Sequence, residues 1–168
     1  MTEEKLRKLL NGVQKPGRYT GGELNSVIKD KNNIDVRFAF CFPDTYEIGM
    51  SHLGMKILYS LINNLEWAWC ERVFAPWVDM EKNMIESDTG TFALESLDDI
   101  NEFDIIGFTL QYELCYTNML NMLAMSKIPL FSKDRQSLQN LVVVGGPCTC
   151  NAEPIADFID VAFLGEGE

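Results

Sequence analysis

The feature that most restricts this chain's fold is an alternation. Apolar runs at "IDVRFAFCF" (residues 34–42), "WAWCERVFAP" (67–76), "FDIIGFTLQ" (103–111), "NLVVVGG" (140–146) and "DVAFLGEGE" (160–168) are separated by stretches of helical character. Pro43, Pro76 and Gly145-Gly146 close three of them, because proline cannot continue a ladder and glycine permits a sharp turn. Three of the runs are apolar throughout, the pattern of strands buried on both faces. Such strands belong to parallel sheets covered by helices on either side. The predicted fold is therefore α/β, a doubly wound sheet of five parallel strands in the order 2-1-3-4-5. That order puts the topological switch between the first and third strands, and ligands of such sheets sit there, outside the carboxyl ends.

Between the strands, helices are expected over three main stretches. From Met50 to Leu65, Met50, Leu53, Ile57, Leu58, Leu61, Ile62 and Leu65 fall at helical spacing. Asp79 is placed to cap a helix running to about Ser87, and "LCYTNMLNMLAMS" (114–126) reads as another, stopped near Pro129. "PIADFI" (154–159) reads as a short helix. Residues 3–11 read as a helix with Leu6, Leu9 and Leu10 on one face, followed by the turn-rich "QKPGRYTGGELN". The expected division is an N-terminal helix and arm over 1–33 and the sheet domain over 34–168.

Composition narrows the function classes. The chain has 168 residues, 46% of them hydrophobic, enough for a real core. Its 14 basic residues stand against 25 acidic ones, a net charge of −11, and no basic cluster occurs, so nucleic acid is not an expected partner. No apolar run approaches the roughly 18–20 residues that cross a bilayer, and "MTEEKLRKLLNG" is not a secretory signal, so a membrane is not expected and a cytoplasmic location is. The five cysteines are odd in number and four lie in or beside apolar runs, which reads as reduced, mostly buried thiols. Cys148 and Cys150 lack the second pair that a metal site of this kind shows, and they are expected to serve the turn and its packing.

Three glycine-bearing or polar turns fall at the switch edge: Asp44–Gly49 after the first strand, Thr109–Glu113 after the third, and Gly145-Gly146-Pro147 after the fourth. In the predicted order those strands are neighbours, so the turns would line one crevice. Tyr112, Glu113, Tyr116 and Asn118 follow at the start of a helix and are placed to touch a ligand there or to belong to an amphipathic core helix. His52, the one histidine, reads as a polar residue at a helix start. Asp44 and Glu47 have no nucleophile beside them, so no catalytic residue is assigned.

The spacing Asp44-x-Tyr46-x-x-Gly49 resembles the Asp-x-His-x-x-Gly loop of cobalamin-binding domains, whose sheet has the same 2-1-3-4-5 order. Thr109-Leu110-Gln111 is similar to their second signature, and Gly145-Gly146 to their third. More specifically, "PGRYTGGE", "FPDTYEIGMSHLG", "ERVFAPWVDME", "FDIIGFTLQYELCYTNMLNML" and "GGPCTCNAEPIADFID" together resemble the N-terminal region of a family of B12-binding-type radical S-adenosylmethionine (SAM) proteins. The terminal "GEGE" is similar to the junction that precedes a radical SAM barrel in such proteins.

The resemblance implies cofactor-binding positions at Asp44, Tyr46, Gly49, Thr109, Gln111, Gly145 and Gly146, and cobalamin as the candidate cofactor. It also implies a partner, the radical SAM barrel of the same full-length protein. Two departures qualify it. Tyr46 stands where the cobalt-ligating histidine would be, and a neutral phenol is a poor cobalt ligand. The Cys-x3-Cys-x2-Cys signature, whose thiolates hold a [4Fe–4S] cluster, does not occur in the 168 residues. The cluster and S-adenosylmethionine are therefore expected only in the remainder of a parent enzyme, and no catalysis is expected of this fragment alone. The readings carried forward are a cobalamin-binding or degenerate N-terminal domain, an empty docking module for the barrel, and a flavin- or nucleotide-binding flavodoxin-like domain. The last lacks the phosphate-binding residues of its class, since "PDTYEIG" offers only Thr45 and Gly49.

Overall fold

The computed structural model describes residues 1–165 and Gly167; Glu166 and Glu168 of the terminal "GEGE" lie outside the described residues. Five parallel strands form one sheet: β1 (Val36–Phe42), β2 (Ala68–Phe74), β3 (Ile105–Thr109), β4 (Leu141–Gly145) and β5 (Val161–Ala162). Their order is β2-β1-β3-β4-β5, as predicted. The helices are α1 (Glu3–Leu9), α2 (Tyr46–Ser51), α3 (Leu53–Asn63), α4 (Val78–Glu86) and α5 (Tyr116–Met125).

The two faces of the sheet carry separate cores because strand side chains alternate. Ala39, Cys41, Ile106, Phe108, Val142 and Val144 point to one face and pack with Met119, Met122 and Leu123 of α5. Phe40, Phe42, Cys70 and Phe74 point to the other and pack with Met55 and Tyr59 of α3. The arm is not a separate body. Leu6 and Leu9 of α1 and Tyr19 bury against Met80 and Met84 of α4. The α3 side is covered over β1 and β2 but less so over β3 and β4. There Phe38, Gly107, Val143, Gly145 and Phe163 edge an apolar groove of about 240 Å³.

Two local expectations differ from the structure. The helix expected from Met50 begins four residues earlier, at Tyr46, and breaks at His52, whose backbone is extended (φ −77°, ψ 116°). His52 then caps α3, its Nδ1 accepting the Met55 N–H at 3.1 Å. Asp79 lies inside the first turn of α4, with Trp77 at the cap position. Its Oδ2 accepts the Gln14 N–H at 2.9 Å and so ties the arm down. Residues 147–158 form two 3₁₀ helices, Pro147–Asn151 and Glu153–Phe158, the second over the stretch where a short helix was expected. A proline in the first turn of each removes a backbone donor.

The free edge of β2 is covered. The Leu94 N–H donates to the Arg72 carbonyl at 2.9 Å, and the Arg72 N–H donates to Glu95 Oε2 at 2.7 Å. Among the described residues, no helix is long and apolar enough to cross a membrane.

Candidate functional site

The turns after β1, β3 and β4 meet at the carboxyl edge, and they are stitched together by hydrogen bonds. Asp44 Oδ1 accepts the Thr45 N–H at 2.7 Å, and its Oδ2 accepts the Tyr112 hydroxyl, joining the first turn to the second. Asn118 Nδ2 of α5 donates to the Pro43 carbonyl at 3.0 Å, tying that helix to the end of β1. Gln111 Nε2 donates to Thr109 Oγ1 at 2.7 Å. The third turn closes on the second through Leu110 N–H to Gly145 O at 2.8 Å and Cys148 N–H to Leu110 O at 3.2 Å. Gly146 has φ +96°, and a Cβ there would stand 2.8 Å from the Leu110 carbonyl oxygen. Only glycine combines that dihedral with so close an approach.

Asp44, Thr109, Gln111, Gly145 and Gly146 are thus brought together, with Thr109 shared between the narrow cleft beside Asp44 and the apolar groove beside Gly145. Tyr46 and Gly49 are not part of that convergence. The Tyr46 ring packs edge-on against Phe74 of β2, centroids 5.5 Å apart. Burial, and then the Glu23 carboxylate beside it, push the Tyr46 phenol up. A Cβ on Gly49 would stand 2.2 Å from the Phe74 ring, so this glycine serves the approach of α2 to the sheet. The expectation that Tyr46 faces the crevice fails because α2 starts at that very residue and turns it toward β2.

The crevice's electrostatics follow from its hydrogen bonds. The Tyr112 phenol is pushed up to about 12, first by the bond to Asp44 and then by burial. Burial also raises the Cys115 thiol, which donates to the Tyr112 carbonyl at 2.8 Å. Cys148 is half-buried against the α5-side core and Cys150 is exposed. No group of three or more metal-ligating side chains gathers among the described residues.

Two buried ion networks lie on opposite faces of β2, built from the adjacent Glu71 and Arg72. Arg37 pairs with Glu71, whose side chain is 0% exposed, and with Asp98 at 2.9 Å. The Arg37 guanidinium also lies 4.1 Å from the Phe103 ring centroid. On the other face, Arg72 Nε donates to Glu95 Oε1 at 2.7 Å, and its Nη2 donates to Glu23 Oε2 at 3.1 Å. Burial pushes the Glu71 and Glu95 carboxyls up. None of these partners was singled out from sequence; the signal was "ER", two consecutive opposite charges inside an otherwise apolar strand.

Comparison with known proteins bears on this architecture. The family described as radical SAM proteins, N-terminal, matches residues 54–168. An uncharacterized protein of Methanocaldococcus jannaschii is 30% identical over 133 residues, which are 77% of this chain and 24% of that protein. The chain therefore spans about a quarter of the length of that relative. No solved structure matches.

Proposed function

Because this chain belongs to the family of radical SAM N-terminal regions, we propose that it is the N-terminal domain of a longer radical SAM enzyme, docking on the catalytic barrel and carrying out no chemistry by itself. One observation carries this reading. The turns at the switch edge are hydrogen-bonded to one another, through Asp44 to Tyr112 and Gly145 to Leu110, so the edge is a preformed platform. Leu114, two residues past Tyr112, stands out beside it, 83% exposed. Exposed apolar surface at a rigid edge suits a partner surface. The iron–sulfur cluster and S-adenosylmethionine are assigned to the remainder of the parent protein, because this sequence lacks the three-cysteine motif.

Cobalamin held by a bond from this loop to cobalt does not fit these residues. Tyr46 is turned to Phe74, and His52 Nδ1 is committed to the Met55 N–H. The docking reading is therefore favoured over the cobalt-ligating one.

The test is to express the 168-residue chain and the remainder of its parent protein as separate chains and mix them. They should co-elute, and Leu114→Glu should abolish co-elution without lowering the domain's melting temperature. Independent elution of the wild-type pieces would refute the docking reading. Hydroxocobalamin titrated into the domain should show no nitrogen-ligated spectrum, and Tyr46→His should not create one.

A further inference from the structure

A cavity of about 420 Å³ lies away from the crevice, between arm residues 23–27 and α3. Its size falls within the usual range of small-molecule sites, about 300–1,000 Å³. Arg72 lines it and is only 6% exposed. Four of the acceptors around Arg72 are oxygens: both Glu95 oxygens, Glu23 Oε2 and Ser26 Oγ. Nη1 is different, because its protein partner is the Met50 thioether at 3.4 Å, a weak acceptor. A buried guanidinium N–H held by sulfur gains most from a ligand carboxylate.

Glu23 supplies the complementary half. Both of its hydrogen bonds from Arg72 and Ser26 end on Oε2, and the Tyr46 phenol lies beside the same carboxylate. Arg72, Lys56 and Glu23 line the cavity and Glu95 lies behind Arg72, paired to its Nε, so the two positive charges are balanced; Lys56 has no ion pair among the described residues. A ligand with net charge would upset that balance beside the buried Arg72, at a cost. A ligand carrying both charges would not. The apolar part of the wall is adaptable, supplied by Met50, Met55 and Val27, while Asn25, Ser60, Asn63 and Asn64 line the remainder.

We propose that this cavity binds a small zwitterion, an α-amino acid with an apolar side chain. Its carboxylate meets Arg72 Nη1, its ammonium meets Glu23, and its side chain lies against Met50, Met55 and Val27. This site is separate from the docking edge and stands or falls independently of it.

The probe is L-leucine, titrated into the 168-residue chain with backbone amide spectra as the readout. The comparison ligands are 4-methylpentanoate, which lacks the amine, and 3-methylbutylamine, which lacks the carboxylate. Leucine should shift amides of residues 23–27 and of α3 at millimolar concentration, and each comparison ligand should bind at least tenfold more weakly. Glu23→Gln should weaken leucine about tenfold, a loss of roughly 1.4 kcal/mol, without weakening 4-methylpentanoate. Because Glu23 also steadies the arm, Ser60→Trp provides a second variant that fills the cavity from α3 without touching a charge, and it should abolish leucine binding. Absence of leucine binding, equal binding of the single-charge analogues, shifts confined to other regions, or unaltered binding by Ser60→Trp would each overturn the proposal.

Discussion

Replacing Glu95 with alanine is expected to be among the most damaging single changes in the domain. Its side chain is 0% exposed and faces an Arg72 side chain that is 8% exposed. It accepts from the Arg72 backbone N–H and Nε, both at 2.7 Å, and from the Tyr59 hydroxyl at 3.1 Å. Removing it leaves a buried guanidinium with Glu23 as its remaining counter-charge. Breaking one side of such a pair costs about 3–5 kcal/mol. For a domain of this size that corresponds to a fall in melting temperature of roughly 6–20 °C. The cost comes chiefly from the charge left behind, so removing both partners should be far milder. Glu95→Met combined with Arg72→Met should lose much less than the sum of the two single changes. Urea unfolding followed by circular dichroism measures all five proteins, the wild type, Glu95→Ala, the two methionine singles and their double, with equal slopes checking that the unfolded state is unchanged. A loss below about 1 kcal/mol for Glu95→Ala, the value of a surface pair, would refute the reasoning. So would additivity of the two methionine substitutions.

Gly146→Ala should destabilise by about 1–3 kcal/mol through its positive φ and the Leu110 contact; Gly145→Ala, with no atom within 4 Å of its Cβ, should stay within about 0.5 kcal/mol in the same urea assay. Asp44→Asn should lower the Tyr112 titration from about 12 toward the ordinary phenol value, read by ultraviolet titration. Glu47 is held at about 2, chiefly by the hydrogen bond from Arg18. Its folded value lies below its unfolded one, so its contribution is present above the ordinary carboxylate range and is lost as pH falls from 4.5 toward about 2. Trp77, which lies under the Arg18 guanidinium at 5.5 Å, should report that loss by fluorescence, and Glu47→Gln should remove this acid transition.

The sheet and its switch were legible in sequence because strands buried on both faces leave an unbroken apolar signature. "FDIIGFTLQ" and "NLVVVGG" each contain the strand later observed, Ile105–Thr109 and Leu141–Gly145. The turns at the carboxyl edge were legible for the same reason, since strand order decides which turns are neighbours. The start of α2 was less so. Apolar spacing cannot distinguish a helix beginning at Tyr46 from one beginning at Met50, yet those four residues decide which way Tyr46 points. The break at His52 depends on a side chain capping the backbone three residues on, inside a pattern that reads as continuous. The ion networks were hidden because Arg72 finds Glu23 and Glu95 at separations of 49 and 23 residues, in an arm and a connector that lie outside the strand–helix alternation.

The adjacent Glu71 and Arg72 also have a consequence for how the sheet assembles. In the observed register Glu71 lies opposite Ala39 and Arg72 opposite Phe40. Sliding β2 by one residue would exchange the faces of both side chains. Arg72 would then enter the face where Arg37 already stands, and Glu71 would lose its guanidinium and lie beneath α3. A strand of valine and phenylalanine alone would tolerate such a slip with modest loss. Two neighbouring charges with separate partners penalise it on both faces at once. The pair thus acts as a proofreading device for strand alignment, stabilising one pairing less than it disfavours the misaligned alternatives.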